Sequence, residues 1–348
     1  LALAAALAIK LPELFGLRLA GDDATFYARN AGLFVLPLLA GYFVWKRSVG
    51  AGTRGALALA FAAAAVVANV FPFGPGSNTQ GLLALHLPIV LWLAVGVAYA
   101  GGRWRDGAAR MDFVRFSGEF FIYYVLIALG GGVLSGFTAI IFQSIGIDIE
   151  PFFESWLLPC GAMGAVIVAS WLVEAKESVI ENMAPVLTRL FTPLFAATLL
   201  VFLATMAWSG RGIGIGREVL IAFDLLLVLV LALLLYSISA RDPYAPRGGF
   251  DYLLVALVVS GLVADGVALA AMAARITELG STPNRLAALG MNVVLLVNLA
   301  WSAWLYLRFL RGRGSFAAVE RWQTDYLPVY GAWAAVVVLV FPPLFGYL

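Results

Sequence analysis

Apolar residues run along this chain in long blocks separated by short polar connections. Blocks of roughly 17–25 residues are the length that crosses a bilayer as a helix. About eleven are present, at Leu1–Leu19, Tyr27–Trp45, Gly55–Pro72, Gly81–Tyr99, Phe116–Phe142, Ser155–Val173, Leu190–Trp208, Val219–Ala240, Asp251–Ala274, Arg285–Leu307 and Leu327–Gly346. Lys10 and Pro12 interrupt the first, which reads as the remnant of a span or as a helix lying at the interface. The pattern predicts an all-α, polytopic transmembrane helix bundle with about eleven spans, in one integral membrane domain over residues 1–348. Both ends read as trimmed. Lys10, Glu13 and Arg18 follow the first apolar run with no small-residue cleavage site, which argues against a signal peptide there.

Charge orients the spans. The connections Lys46–Arg54, Arg103–Arg115, Lys176–Arg189, Arg241–Arg247 and Arg308–Arg321 hold three, four, two, two and four basic residues. They alternate with connections near Phe73–Gln80, Ile147–Glu154, Arg211–Arg217 and Arg275–Arg285, which hold none, none, two and two. Basic loops stay in the cytoplasm, so the first set is predicted cytoplasmic, most clearly in the early half. Trp45, Trp104, Trp156, Trp171 and Trp208 fall at predicted span ends, as an aromatic belt requires.

Composition agrees. The chain is 63% hydrophobic and 12% charged with mean hydropathy +0.96, far from the roughly 45–50% and 25% of soluble domains. Lipid is the expected solvent. A net charge of +2 gives no support to a nucleic-acid partner. A single cysteine, Cys160, excludes an internal disulfide and cysteine metal clusters. A single histidine, His86, excludes bis-histidine haem and the usual zinc sites. No cofactor or metal is implied.

Ionisable groups inside spans cost roughly 2.5–3.5 kcal/mol each on insertion scales, so each needs a reason. Asp265 lies near the middle of its span, on a face with Gly261, Ala268 and Met272. It is the leading candidate for a proton or cation site, with Asn292 or Asn298 of the next span as alternative structural partners. Arg115 and Glu119, one helical turn apart, are expected to pair near the cytoplasmic edge, with Tyr123 on the same face. Asp224 is expected to snorkel from the opposite edge. His86 precedes Pro88, whose freed carbonyl is a local partner for a ring that otherwise suits proton shuttling. Asp148, Glu150 and Glu154 form an acidic connection without the spacing of a calcium loop, and Glu174, Glu177 and Glu181 a solvated acidic stripe.

Glycines and small residues carry two further readings. Gly161, Ala165 and Ala169, and Gly132 with Gly136, recur every fourth residue, as helix contacts in lipid do. The run Gly130–Gly132 is a place where a helix breaks or packs tightly. Gly212, Gly214 and Gly216 imitate a phosphate loop but follow a membrane helix, not a strand. No Walker A, Gly-x-Ser-x-Gly or His-Glu-x-x-His sequence occurs.

Several stretches resemble a bacterial family of multi-span membrane proteins classified only as a domain of unknown function. They are FYARNAGLFVLPLLAGYF (Phe26–Phe43), LHLPIVLWLAVGVAY (Leu85–Tyr99), FVRFSGEFFIYYVL (Phe113–Leu126), FTPLF (Phe191–Phe195) and STPNRL (Ser281–Leu286). The resemblance implies an all-helical, multi-pass protein of the bacterial inner membrane and no established activity. Two functions follow from the residues. One is transporter-like handling of a small solute or ion, with Asp265, Glu119, Arg115, His86, Asn292 and Asn298 as candidates along the path. The other is a non-catalytic scaffold or accessory subunit bound to a membrane-protein partner. A membrane enzyme acting on lipid-linked substrates through Glu119 and Arg115 ranks third.

Overall fold

In the computed structural model, residues 1–19, 21–144, 147–175, 183–209 and 217–348 are described. Among them the chain is helical, with no strand. In order come α1 (Ala2–Ala8), α2 (Ala24–Lys46), α3 (Ala51–Val70), α4 (Asn78–Tyr99) and α5 (Gly107–Ser144). A short α6 (Glu150–Phe152) runs through a wide turn into α7 (Leu158–Ala175). There follow α8 (Met183–Ser209), α9 (Arg217–Ala240), α10 (Gly249–Leu279), α11 (Pro283–Leu310), α12 (Phe316–Leu339) and α13 (Phe341–Leu344).

Nine helical segments among the described residues are long and apolar enough to cross a membrane: α2 to α5, α6 with α7, and α8 to α11. This is a multi-pass membrane protein. The two further spans expected from the sequence lie at the chain ends, and both differ for local reasons. The first apolar block is cut after α1, where Lys10 turns inward to Glu13 and the Ser155 carbonyl and lies over the Trp156 ring. Pro12 then opens a tight 3-10 turn, Leu11–Phe15. The last block is split at Val340, ahead of Pro342 and Pro343. Its helix α12 begins earlier than expected and takes in Glu320, Arg321, Gln323, Thr324 and Asp325, which leave it too polar to count.

Contacts divide the chain into two compact units. The first comprises Leu1–Ala109, Phe116–Glu177 and Val338–Leu348. Here α2 packs along α4, with Leu91 and the Pro88 backbone close against Gly32. Phe43, Tyr99, Phe116 and Trp92 form an aromatic knot at the end of that pair. Beside it Lys46 and Arg47 of α2 both reach Glu174 of α7, at 2.6 and 3.0 Å. The ends of α2 and α7 therefore meet. The small-residue face of α7 is used only in part: Ala165 and Ala169 are buried, Gly164 takes Ala6 of α1, and Gly161 stands open.

The stretch with the glycine run behaves differently from the expectation of a broken helix. α5 passes through Gly130, Gly131 and Gly132 without interruption. A Cβ added at any of these, or at Gly136, would meet nothing within 4 Å. The outer half of α5 presents Leu126, Leu129, Val133, Leu134 and Phe137 to its surroundings.

The second unit, Arg110–Arg115 and Ser178–Val337, is built around α10, which packs against α8, α9 and α11. Leu227, Val230 and Leu234 of α9 meet Leu254, Leu257 and Val258 of α10, with Leu295, Leu299 and Tyr306 of α11 completing the core. At one end the connections predicted cytoplasmic converge. The Arg115 guanidinium donates to the Ser239 carbonyl at 2.7 and 3.2 Å, Arg110 pairs with Asp325, and Arg241 lies over the Phe309 and Phe316 rings.

Candidate functional site

The second unit places two polar clusters between its helices, and they differ in how completely they are satisfied. The closed one joins α11 and α12. Asn298 donates to Gln323 Oε1 at 3.1 Å and to the Tyr330 hydroxyl, and its own Oδ1 accepts from Trp322 Nε1 at 2.7 Å and from Ser302. Gln323 Nε2 returns a bond to Ser302 Oγ at 2.6 Å. Asn298, Ser302 and Gln323 are fully buried. Each of these side chains has a hydrogen-bond partner within the cluster, as polar groups inside hydrocarbon must. The Trp333 ring lies close against Gly290 on α11, where an added Cβ would come within 2.0 Å of it.

The open cluster lies where α9, α10 and α11 meet. Gly261 lets Val230 of α9 approach to 3.1 Å from the position of a Cβ, and Ala264, Ala268 and Ala271 continue that close seam along α10. Asp265 sits in the seam with no exposed surface, and neither carboxylate oxygen has a hydrogen-bond partner among the described residues. Asp224 of α9 is close enough to act on it electrostatically. Asn292 of α11, also fully buried, donates to Asp224 Oδ1 at 3.0 Å and lies 3.5 Å from Met272 Sδ, two helical turns along α10 from Asp265. The Asn292 carbonyl oxygen is itself unpartnered.

Several expectations change on this geometry. Neither Asn292 nor Asn298 partners Asp265: the first serves Asp224 and the second serves α12. Asp224 does not simply snorkel, since it is half-buried and held by Asn292. It was legible as a site residue: it stands three and four residues from the buried Leu227 and Leu220, on the inward face of α9. The Arg115 guanidinium is directed at the Ser239 carbonyl and at Asp112, 3.5 Å away. His86 is buried in α4 and bonds through Nδ1 to the Leu82 carbonyl at 2.8 Å, one helical turn back, rather than to a carbonyl freed by Pro88. The Gly212–Gly216 run and Glu177 and Glu181 lie outside the described residues. No group of three or more His, Cys, Asp or Glu side chains gathers as for a metal among the described residues.

The fold and this site define a multi-pass, all-helical membrane protein with an enclosed, unpartnered carboxyl group among three of its spans. No known protein family, curated protein or solved structure matches the chain.

Proposed function

We propose that this protein is a transporter-like carrier of a small solute or ion in the bacterial inner membrane, and that Asp265 binds the coupling proton. One observation carries the reading: a carboxyl group wholly enclosed among spans, with both oxygens unpartnered. An ionised carboxylate in such a place costs far more than the neutral acid. Binding a proton removes that cost, and the proton is released when a conformational change admits water or a cation. Intramembrane carboxylates that do not close structural networks mark proton and ion paths. Asp224 and Asn292 supply the neighbouring acceptor and donor. Basic connections place the Arg115 and Arg241 end of the second unit in the cytoplasm. The test is ion- or pH-driven flux in proteoliposomes. Asp265→Asn should abolish it while Asn298→Gln leaves it measurable, and flux unchanged by Asp265→Asn overturns the reading.

A second reading rests on a separate observation. Among the described residues the second half of α5 is apolar and exposed, with its small-residue face open. A non-catalytic membrane subunit that seats α5 against a partner would leave that face so. Mild-detergent purification should then recover a stoichiometric partner, and a stable lone species counts against it.

A further inference from the structure

A cavity of about 320 Å³ opens at the ends of three spans in the second unit, away from Asp265. Its walls come from the start of α8, the end of α9, the connection after it and the first turns of α10. The three candidate spans there begin or end at Thr188, Ala240 and Gly249, so the cavity sits at the level where hydrocarbon gives way to water. Tyr244 and Tyr252, 95% and 59% exposed beside it, are the amphipathic residues that favour that level.

Much of the polar lining is already committed. Arg241 holds Asp251 with two bonds of 2.9 and 3.2 Å and donates to the Asp242, Ala245 and Pro246 carbonyls. Asp251 also accepts the Gly248 N–H. That pair neutralises itself and fixes the wall. Three groups remain. Ser237 is 3% exposed and lines the cavity, and its hydroxyl has no partner among the described residues. In helices a serine or threonine hydroxyl ordinarily returns to the carbonyl four residues back, as Ser170, Thr198 and Ser260 do in this chain. Ser237 forgoes that bond. Arg189 contributes an exposed guanidinium, and Asp242 an exposed carboxylate with one oxygen taken by the Tyr244 N–H. Phe250 and Leu254 give the cavity an apolar side.

We infer that this cavity binds the headgroup of a zwitterionic phospholipid, with the phosphate between Arg189 and the Ser237 hydroxyl and the primary ammonium at Asp242. A free cation for the phosphate, a buried donor with nothing else to bond, a free anion for the amine and an apolar side for the first chain carbons are the complement of phosphatidylethanolamine. An anionic headgroup would leave Asp242 opposed by like charge, and a trimethylated amine has no N–H to give it. The cavity volume falls within the about 300–1,000 Å³ of small-ligand sites.

The test uses the full-length protein, delipidated and then titrated in micelles with phosphatidylethanolamine, phosphatidylglycerol or phosphatidylcholine, reading lipid retention by native mass spectrometry and the thermal midpoint. Phosphatidylethanolamine should be retained in preference and raise the midpoint. Ser237→Ala and Arg189→Ala should each weaken retention about tenfold, Ser237→Thr should restore it, and Asp242→Asn should erase the preference over phosphatidylglycerol. Soluble phosphoethanolamine should bind far more weakly than the lipid. Equal retention of all three lipids, or retention indifferent to Arg189→Ala and Ser237→Ala, overturns the inference. Tight binding of soluble phosphoethanolamine overturns its lipid part.

Discussion

Replacing Asp265 by alanine should make this protein more stable, which is the opposite of what removing a partnered membrane carboxylate does. The carboxyl group has no exposed surface and no hydrogen-bond partner among the described residues. A buried polar group left unsatisfied costs about 1–3 kcal/mol, and the substitution removes it. Two smaller terms oppose each other. The void left is about one water in size, roughly 30 Å³, and at about 24 cal/mol per Å³ it costs about 0.7 kcal/mol. Alanine is a better helix former than aspartate by up to about 0.7 kcal/mol, and it extends the small seam of Ala264 and Ala268. The net expectation is a gain of about 1–3 kcal/mol, read by reversible unfolding in mixed micelles. Had the carboxylate been engaged in a buried ion pair, its removal would cost about 3–5 kcal/mol. A loss above about 2 kcal/mol would therefore refute the placement of Asp265 as an orphan. Run beside the flux assay, the measurement separates roles: a variant that is sturdier yet inactive carried its aspartate for function, in the manner of a stability–activity trade-off.

Other changes test the frame around the site. Asp251→Asn strands the buried Arg241 guanidinium and should cost about 3–5 kcal/mol in the same unfolding assay, whereas Arg241→Met with Asp251→Leu should cost much less. Gly290→Ala forces a methyl into the Trp333 ring and should destabilise by at least the about 1–3 kcal/mol of overpacking, with Trp333→Leu in that background recovering most of it. Partial burial pushes the Glu320 carboxyl on α12 above the ordinary carboxylate range, against the opposing pull of Arg115. The folded state then binds that proton more tightly than the unfolded chain, so stability should fall as pH rises from the unfolded carboxylate value through the raised one. Glu320→Gln should flatten that slope.

Much of the architecture was legible because bilayer crossing imposes one length and one composition on every span. Apolar count alone misled at the two ends. It cannot see that Lys10 turns inward to the Ser155 carbonyl, or that Val340 ends a helix ahead of two prolines. The ends that meet, Lys46 and Arg47 with Glu174 and Arg115 with Ser239, are set by how neighbouring helices pair, which charge counting along the chain does not describe. Asp265 stood out because a mid-span carboxylate on a small-residue face has few explanations. Its surroundings did not, because which of two asparagines on α11 faces α9 and which faces α12 depends on helix rotation. Asn292 and Asn298 are six residues apart, which turns their side chains about 120° from each other around a helix of 3.6 residues per turn. Their different partners follow from that spacing.

That divergence on one helix is also the best argument for where function lies. Asn298 closes a ring with Ser302, Trp322, Gln323 and Tyr330 in which donors and acceptors match, and such a ring explains its own presence by fixing how α12 lies on α11. Less than two turns away, Asn292 reaches a carboxylate, and its own oxygen and both oxygens of the neighbouring Asp265 have no hydrogen-bond partner among the described residues. The two clusters share α11, and buried polar groups in both meet the same penalty when unmet. A sequence able to close one network could close the other with alanine or leucine at position 265. An open cluster therefore gains nothing for the fold, which is the ground on which the proton-binding proposal for Asp265 rests.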